Sequence, residues 1–128
     1  MPLEIQIKKS TDPQRQGTLT VELTGSLDTV TSPELERQLS AQMNEKTTQL
    51  VLDLANLKFI SSAGLRVIAA VRKKLRERNG TVSCVHMQPQ IQEVFDIVKA
   101  LPGMAIFKDY AEMDAYLAAR QRSHEKDA

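Results

Sequence analysis

The sequence predicts an α/β fold: a mixed sheet in which an antiparallel N-terminal hairpin leads into parallel strands, in the order β-β-α-β-α-β-α-β-α. Three observations carry this reading: two alternating stretches near the start, a near-continuous apolar run at the centre, and a regular exchange of strand-like and helix-like periodicity after it. Strands that alternate with helices pair in parallel through right-handed crossovers. At 128 residues the chain is long enough to bury one core without staples. Residues 1–119 read as a single domain and 120–128 as a flexible, charged tail.

Leu3, Ile5 and Ile7 alternate with Glu4, Gln6 and Lys8, the pattern of a half-exposed edge strand. A polar stretch with Pro13 and Gly17 follows, and then Leu19, Val21 and Leu23 alternate again. Residues 3–9 and 18–24 are therefore expected to pair as an antiparallel hairpin with a long loop. Gly25-Ser26-Leu27-Asp28 comes next. Pro33 suits a first helical position with Ser32 as its cap, and Leu35, Leu39 and Met43 mark the buried stripe of that helix.

Leu50-Val51-Leu52-Asp53-Leu54 reads as a strand buried on both faces. After the turn that follows, Val67, Ile68, Val71 and Leu75 recur at helical spacing, and Asn79-Gly80 provides the stop. Thr81 to His86 is another strand. Pro89 opens a helix with Ile91, Val94, Phe95, Val98 and Leu101 on one face, ended by Pro102-Gly103. Ala105-Ile106-Phe107 is a short last strand. Asp109 and Glu112 form a capping box for a helix buried through Met113, Tyr116 and Leu117.

The stretch Phe59-Ile60-Ser61-Ser62-Ala63-Gly64-Leu65 is the strand-to-helix turn at the centre of this order. A serine there has two possible jobs. It caps the helix by accepting a hydrogen bond from a free backbone N–H, or it carries a phosphate, which the same N–H groups and the helix dipole favour. Leu65 lies off the apolar stripe, so it either packs under the preceding loop or stands exposed beside Ser62 as a partner contact. In a sheet of this kind the strand-to-helix loops emerge at one edge. The Asp28 loop, the Ser62 turn and the His86–Pro89 junction are expected to share that end.

Leu-Asp-Leu, a spacer and then Phe-Ile-Ser-Ser-Ala-Gly-Leu resembles the core signature of STAS domains, and in particular of the bacterial anti-sigma factor antagonists. The resemblance covers about residues 3 to 118 and implies a STAS-like mixed sheet. It places the regulated, phosphate-accepting serine on Ser62, with Ser61, Ala63, Gly64 and Leu65 in the partner-binding turn. The Gly-x-Leu-Asp tetrad is also similar to the family's, which puts Asp28 near the regulated serine; a plain turn-stabilising role for Asp28 stands beside that reading. Two departures are visible: Ser61 stands where many members have Asp, and Ala63 where they have Ser or Thr. The resemblance implies a partner-switching cycle. The unphosphorylated form binds an anti-sigma factor that is also a serine protein kinase, that kinase uses Mg-ATP to phosphorylate Ser62, and a PP2C-type phosphatase resets it. The alternative it leaves is a STAS scaffold subunit of a multiprotein or transporter assembly that is never phosphorylated. A small-molecule binder using the same loop edge is a third class.

The remaining chemistry argues against catalysis. A Ser62-His86-Asp28 triad lacks the Gly-x-Ser-x-Gly elbow, and its chain order differs from that of the hydrolase elbow fold. No glycine-rich phosphate loop occurs among the five glycines. No cluster of Cys, His and carboxylates is spaced for a metal, so no cofactor is expected. With 17 basic and 16 acidic residues, three Phe, two Tyr and no Trp, direct nucleic-acid binding is not expected either. Residues 65–79 do hold six basic residues against the one acid Glu77, as either a solvated helix face or a patch for an acidic partner. Cys84 is the one cysteine. It fits a reducing compartment, and with no membrane-length apolar run and no secretory pattern the expected location is the cytoplasm, away from membranes.

Overall fold

The computed structural model describes residues 2–10, 16–98, 105–116 and 118. Strands β1 (Leu3–Lys9) and β2 (Thr18–Leu27) are followed by α1 (Ser32–Gln42), β3 (Gln49–Ile60), α2 (Ser62–Arg76), β4 (Thr81–Val85), α3 (Pro89–Val98) and β5 (Ala105–Phe107). A last helical stretch, α4, covers residues 110–116. The five strands lie in chain order in one sheet; β1 and β2 are antiparallel and every later pair is parallel. The predicted hairpin, element order and strand senses are all present. The tail 120–128, Leu101 and Pro102-Gly103 lie outside the described residues.

Alternation along the strands sorts side chains between two cores. Leu50, Leu52 and Leu54 join Leu35 and Leu39 of α1, Leu65, Ile68, Val71 and Leu75 of α2, and Ile91 and Phe95 of α3. Val51 points to the other side, where it meets Val85, Phe107 and Met113 under Tyr110. Burying a Leu or Ile side chain contributes about 1.5–3 kcal/mol, so the first cluster supplies most of the driving force.

Several boundaries differ from the sequence reading, each for a physical reason. The stretch between Leu54 and Phe59, read as a spacer, is strand: β3 runs twelve residues against ten in β2. The extra residues sit in two irregularities, where Glu22↔Asp53 gives way to Thr24↔Asn56 and Gly25↔Leu57 to Ser26↔Phe59. Bulges of this kind are invisible to a period-2 pattern. Gly25, at φ 108° and tight against the Pro2 carbonyl, occupies a conformation open to glycine at the second of them. Thr31, not Ser32, stands at the cap position of α1, so Ser32 is already helical. Asn79 takes the left-handed turn after α2 at φ 61°, and the Gly80 N–H closes on the Leu75 carbonyl at 2.6 Å. Asp109 caps α4 by accepting from the Glu112 N–H at 2.9 Å, and Met113 is buried beneath it. Tyr116 is 46% exposed rather than buried, its ring resting against Phe107 at 5.4 Å; Leu117 is outside the described residues.

The largest correction concerns the strand ends. The last β2–β3 pair is Leu27↔Ile60, so the Asp28 loop and the Ser62 turn do share one end. But β4 stops at Val85 opposite Asp53. Ile60 lies seven residue steps further along β3, about 23 Å at ~3.3 Å per residue. The His86–Pro89 junction therefore flanks the middle of β3 and not the Ser62 turn.

Candidate functional site

The site is built where β2 and β3 end side by side. The Ser61 N–H donates to the Leu27 carbonyl at 2.8 Å, extending the strand pairing by one bond. Ser61 is still extended, at φ −99° and ψ 173°, and its hydroxyl oxygen accepts from the Gly64 N–H at 3.3 Å. Its carbonyl accepts from the Leu65 N–H at 3.0 Å and starts α2. Ser61 is thus the helix cap. Ser62 is the first helical residue, exposed, with no hydrogen bond to its hydroxyl among the described residues. The capping role that the sequence left open for either serine falls on Ser61.

The helix start is electrostatically prepared for an anion. No acidic residue lies in the first turn of α2, while Lys73, Lys74 and Arg76 occupy the last turn and complement the opposite pole of the dipole. The N–H groups of Ser62 and Ala63 have no intrahelical acceptor, as at any helix N-terminus. The free N–H groups and the positive pole of the dipole favour negative charge at Ser62 by about 0.3–1 kcal/mol.

Gly64 and Leu65 are buried, Leu65 at 2% exposure. A Cβ on Gly64 would lie 2.7 Å from Leu27 Cγ and 3.1 Å from Ile60 Cγ1. The glycine therefore exists because α2 begins directly on the ends of β2 and β3, and Leu65 packs below that contact. The exposed position considered for Leu65 is corrected: its side chain belongs to the core, and with Gly64 it holds the turn in place from beneath. Ala63, half-buried, is the neighbour of Ser62 that still reaches the surface.

Asp28 shapes the adjacent loop. Its Oδ1 accepts from the N–H groups of Val30 and Thr31, each at 2.9 Å, and from the Thr31 hydroxyl at 3.1 Å. These bonds, the Thr31 N–H foremost, hold its carboxyl below the usual carboxylate range. Thr31 Oγ1 also accepts from the Asp28 N–H at 2.9 Å, and its one hydroxyl hydrogen is shared between Asp28 Oδ1 and the Ser26 carbonyl at 2.8 Å, tying the loop to β2. The turn-stabilising role of Asp28 is directly visible, and the same bonds set the loop next to Ser61 and Ser62.

Two apolar side chains near this end escaped the sequence reading. Val30 is 85% exposed at the tip of the Asp28 turn, and Phe59 is 51% exposed three residues before Ser62. The bulge at Lys58 breaks the alternation of β3, so Lys58 and Phe59 both stay outside between buried Leu57 and Ile60. An isolated valine between Thr29 and Thr31 was the one available sequence signal.

The triad geometry is absent. His86 Nδ1 lies 3.1 Å from Asp53 Oδ1, on the middle of β3, and Tyr110 donates its hydroxyl to Asp53 Oδ2 at 2.9 Å. The His86 and Tyr110 rings meet edge to face at 5.4 Å. Burial of the phenol, with the Asp53 charge beside it, pushes the Tyr110 pKa up. Cys84 is fully buried and its thiol is pushed up to about 12, which leaves it unreactive. Among the described residues no group of His, Cys and carboxylates is placed to hold a metal, and no helix is long and apolar enough to cross a membrane.

Comparison with known proteins matches this architecture. The STAS domain family model covers residues 9–113. A Bordetella bronchiseptica protein carrying the name anti-sigma factor antagonist BtrV is 40% identical over 81 residues, 63% of this chain and 70% of its own length. The crystal structure of an anti-sigma factor antagonist from Mycobacterium paratuberculosis superimposes with a TM-score of 0.74, at 24% identity, over 93% of this chain and 95% of the other. The phosphorylated form of the Bacillus cell fate determinant SpoIIAA shares the fold with a TM-score of 0.66, at 18% identity, over 88% of this chain and 99% of the other. The antiparallel hairpin feeding a parallel sheet is thus a frame shared with known proteins, and the chain belongs to the STAS domain family, of the anti-sigma factor antagonist type.

Proposed function

We propose that the chain is a phosphorylation-switched antagonist that binds an anti-sigma factor when Ser62 is free and releases it when Ser62 carries a phosphate. The observation that carries this reading is the division of labour at the turn: Ser61 caps α2, so the exposed Ser62 hydroxyl has no structural duty to lose. The anti-sigma factor is itself the serine kinase that modifies Ser62 with Mg-ATP, and a PP2C-type phosphatase restores the hydroxyl. The chain contributes a substrate serine and a binding surface rather than catalysis, and it acts in the cytoplasm. Asp28, Ser61 and Ala63 line the contact, Val30 and Phe59 supply its apolar area, and Gly64 and Leu65 support it from below.

The physics of the switch is one of unequal costs. A phosphate adds about −1.5 to −2 charges at pH 7. At a helix start that charge is tolerated or mildly favourable. Against a desolvated partner surface, an unpaired charge costs several kcal/mol. The fold survives both states while the complex does not.

Titration calorimetry with the purified anti-sigma factor tests the reading. Ser62→Ala is expected to bind like the unphosphorylated protein and to resist the kinase. Ser62→Asp is expected to bind at least about tenfold worse, or ~1.4 kcal/mol. Peptide mass spectrometry after incubation with kinase and ATP is expected to place one phosphate on Ser62. A phosphate on Ser61, or equal affinity for both variants and the phosphorylated protein, overturns the switch and leaves a constitutive STAS scaffold.

A further inference from the structure

The six basic residues of 65–79 are not absorbed by the turn, and their placement on α2 gives them a use. Helices α1 and α2 splay apart to leave a surface groove of about 620 Å³. Its floor is small or apolar: Pro33 on α1 and Met43 just past its end, and Ala63, Val67 and Ala70 on α2. The three α2 residues stand at i, i+4 and i+7, the spacing at which one helix receives another. From Ala63 to Lys74 the groove follows α2 over eleven residue steps, about 16 Å at ~1.5 Å each, or three helical turns, and it continues past the helix end to Glu77 and Arg78.

The rim is charged with one predominant sign. Arg66, Lys73 and Lys74 are exposed along it and have no ion-pair partner among the described residues. Arg78 is instead held by the carbonyls of Asn44, at 2.6 Å, and Thr47, at 3.1 Å. Glu36 and Glu77 are the acidic residues of the lining. Arg66 and Lys73 are two turns apart, about 11 Å at ~1.5 Å per residue, which is too far to converge on one phosphate and suits carboxylates spread along a partner. No aromatic side chain lines the groove for stacking on a base.

We propose that the α1–α2 groove is a second docking surface, which takes an acidic amphipathic helix of a partner protein. The helix lays its apolar stripe over Val67 and Ala70, small enough for close approach, and sets its carboxylates against Arg66, Lys73 and Lys74. This surface needs no phosphate chemistry at Ser62, so it stands or falls separately from the switch.

The probes are two synthetic peptides of four turns, ~15 residues, with the same leucine and alanine stripe, one flanked by glutamates and the other by lysines. They are titrated into the isotope-labelled full chain and followed by amide chemical shifts. The glutamate peptide is expected to shift signals along Glu34–Met43 and Ala63–Arg78, and the lysine peptide is not. Ala70→Arg fills an exposed floor position with a residue of good helix propensity, so the fold is retained. It is expected to weaken binding about tenfold or more, as is the double variant Lys73→Glu/Lys74→Glu. Absence of binding by the glutamate peptide, equal binding of both peptides, shifts centred elsewhere, or an Ala70→Arg variant that binds like wild type would each overturn the proposal.

Discussion

Adjacent serines at the start of α2 stand in different environments, and a shift of one residue in the helix start decides which of them caps it. The Ser61 hydroxyl answers a backbone donor; the Ser62 hydroxyl answers nothing among the described residues. Ser61→Ala is expected to lose ~0.5–2 kcal/mol of stability, the usual cost of a missing cap. Ser62→Ala, at an exposed helical position, is expected to stay within about 0.5 kcal/mol of wild type. Urea unfolding of the two variants side by side checks this, and a larger loss for Ser62→Ala would return the capping role to Ser62. The serine pair at a helix start was legible from the sequence. Its internal assignment was not, because helix periodicity cannot resolve a single terminal residue. Asp28 was legible in both of its readings, since an Asx turn and a place beside the site use the same side chain.

At the scale of elements, the contact between α2 and the ends of β2 and β3 explains Gly64. The motif marked that residue, but its reason appears only when Leu27 and Ile60 are seen against its missing side chain. Leu27 is fully buried, so it has no free volume to retreat into. Gly64→Val is therefore expected to act chiefly on stability, by overpacking of ~1–3 kcal/mol, and to weaken partner binding only through the displaced turn. The resemblance put Gly64 in the partner-binding turn, a surface position at which added bulk would meet the partner first. A thermal melt measured beside the affinity separates the two: an unchanged melting point with lost binding would restore the surface role. The same logic accounts for Phe59. The apolar run at 50–54 located β3 correctly, but two bulges lengthened it and re-aimed its end, and those depend on pairing with β2 rather than on the local sequence.

Across the whole molecule, the long β3 joins two polar centres that the chain order had placed together. At one end it presents the Ser62 turn. At its middle Asp53 receives His86 from the β4–α3 junction and Tyr110 from α4. The second centre fastens α4 over Val51, Val85 and Phe107, and the phenol donates to a carboxylate, a bond that contributes ~1.5–3 kcal/mol when the acceptor is charged. Sequence reasoning brought His86 to the Ser62 end because it assumed strands of equal reach; β4 has five residues and β3 twelve. The separation of about 23 Å, at ~3.3 Å per residue over the seven residue steps of β3 between them, exceeds the ~7–10 Å within which neighbouring sites couple. Tyr110→Phe is accordingly expected to speed amide exchange in α4 and β5 while leaving exchange at residues 61–65, and the rate of Ser62 phosphorylation, as in wild type. If loosening α4 also altered phosphorylation of Ser62, the two centres would be one coupled unit, and the STAS frame here would transmit the state of its far side to the switch.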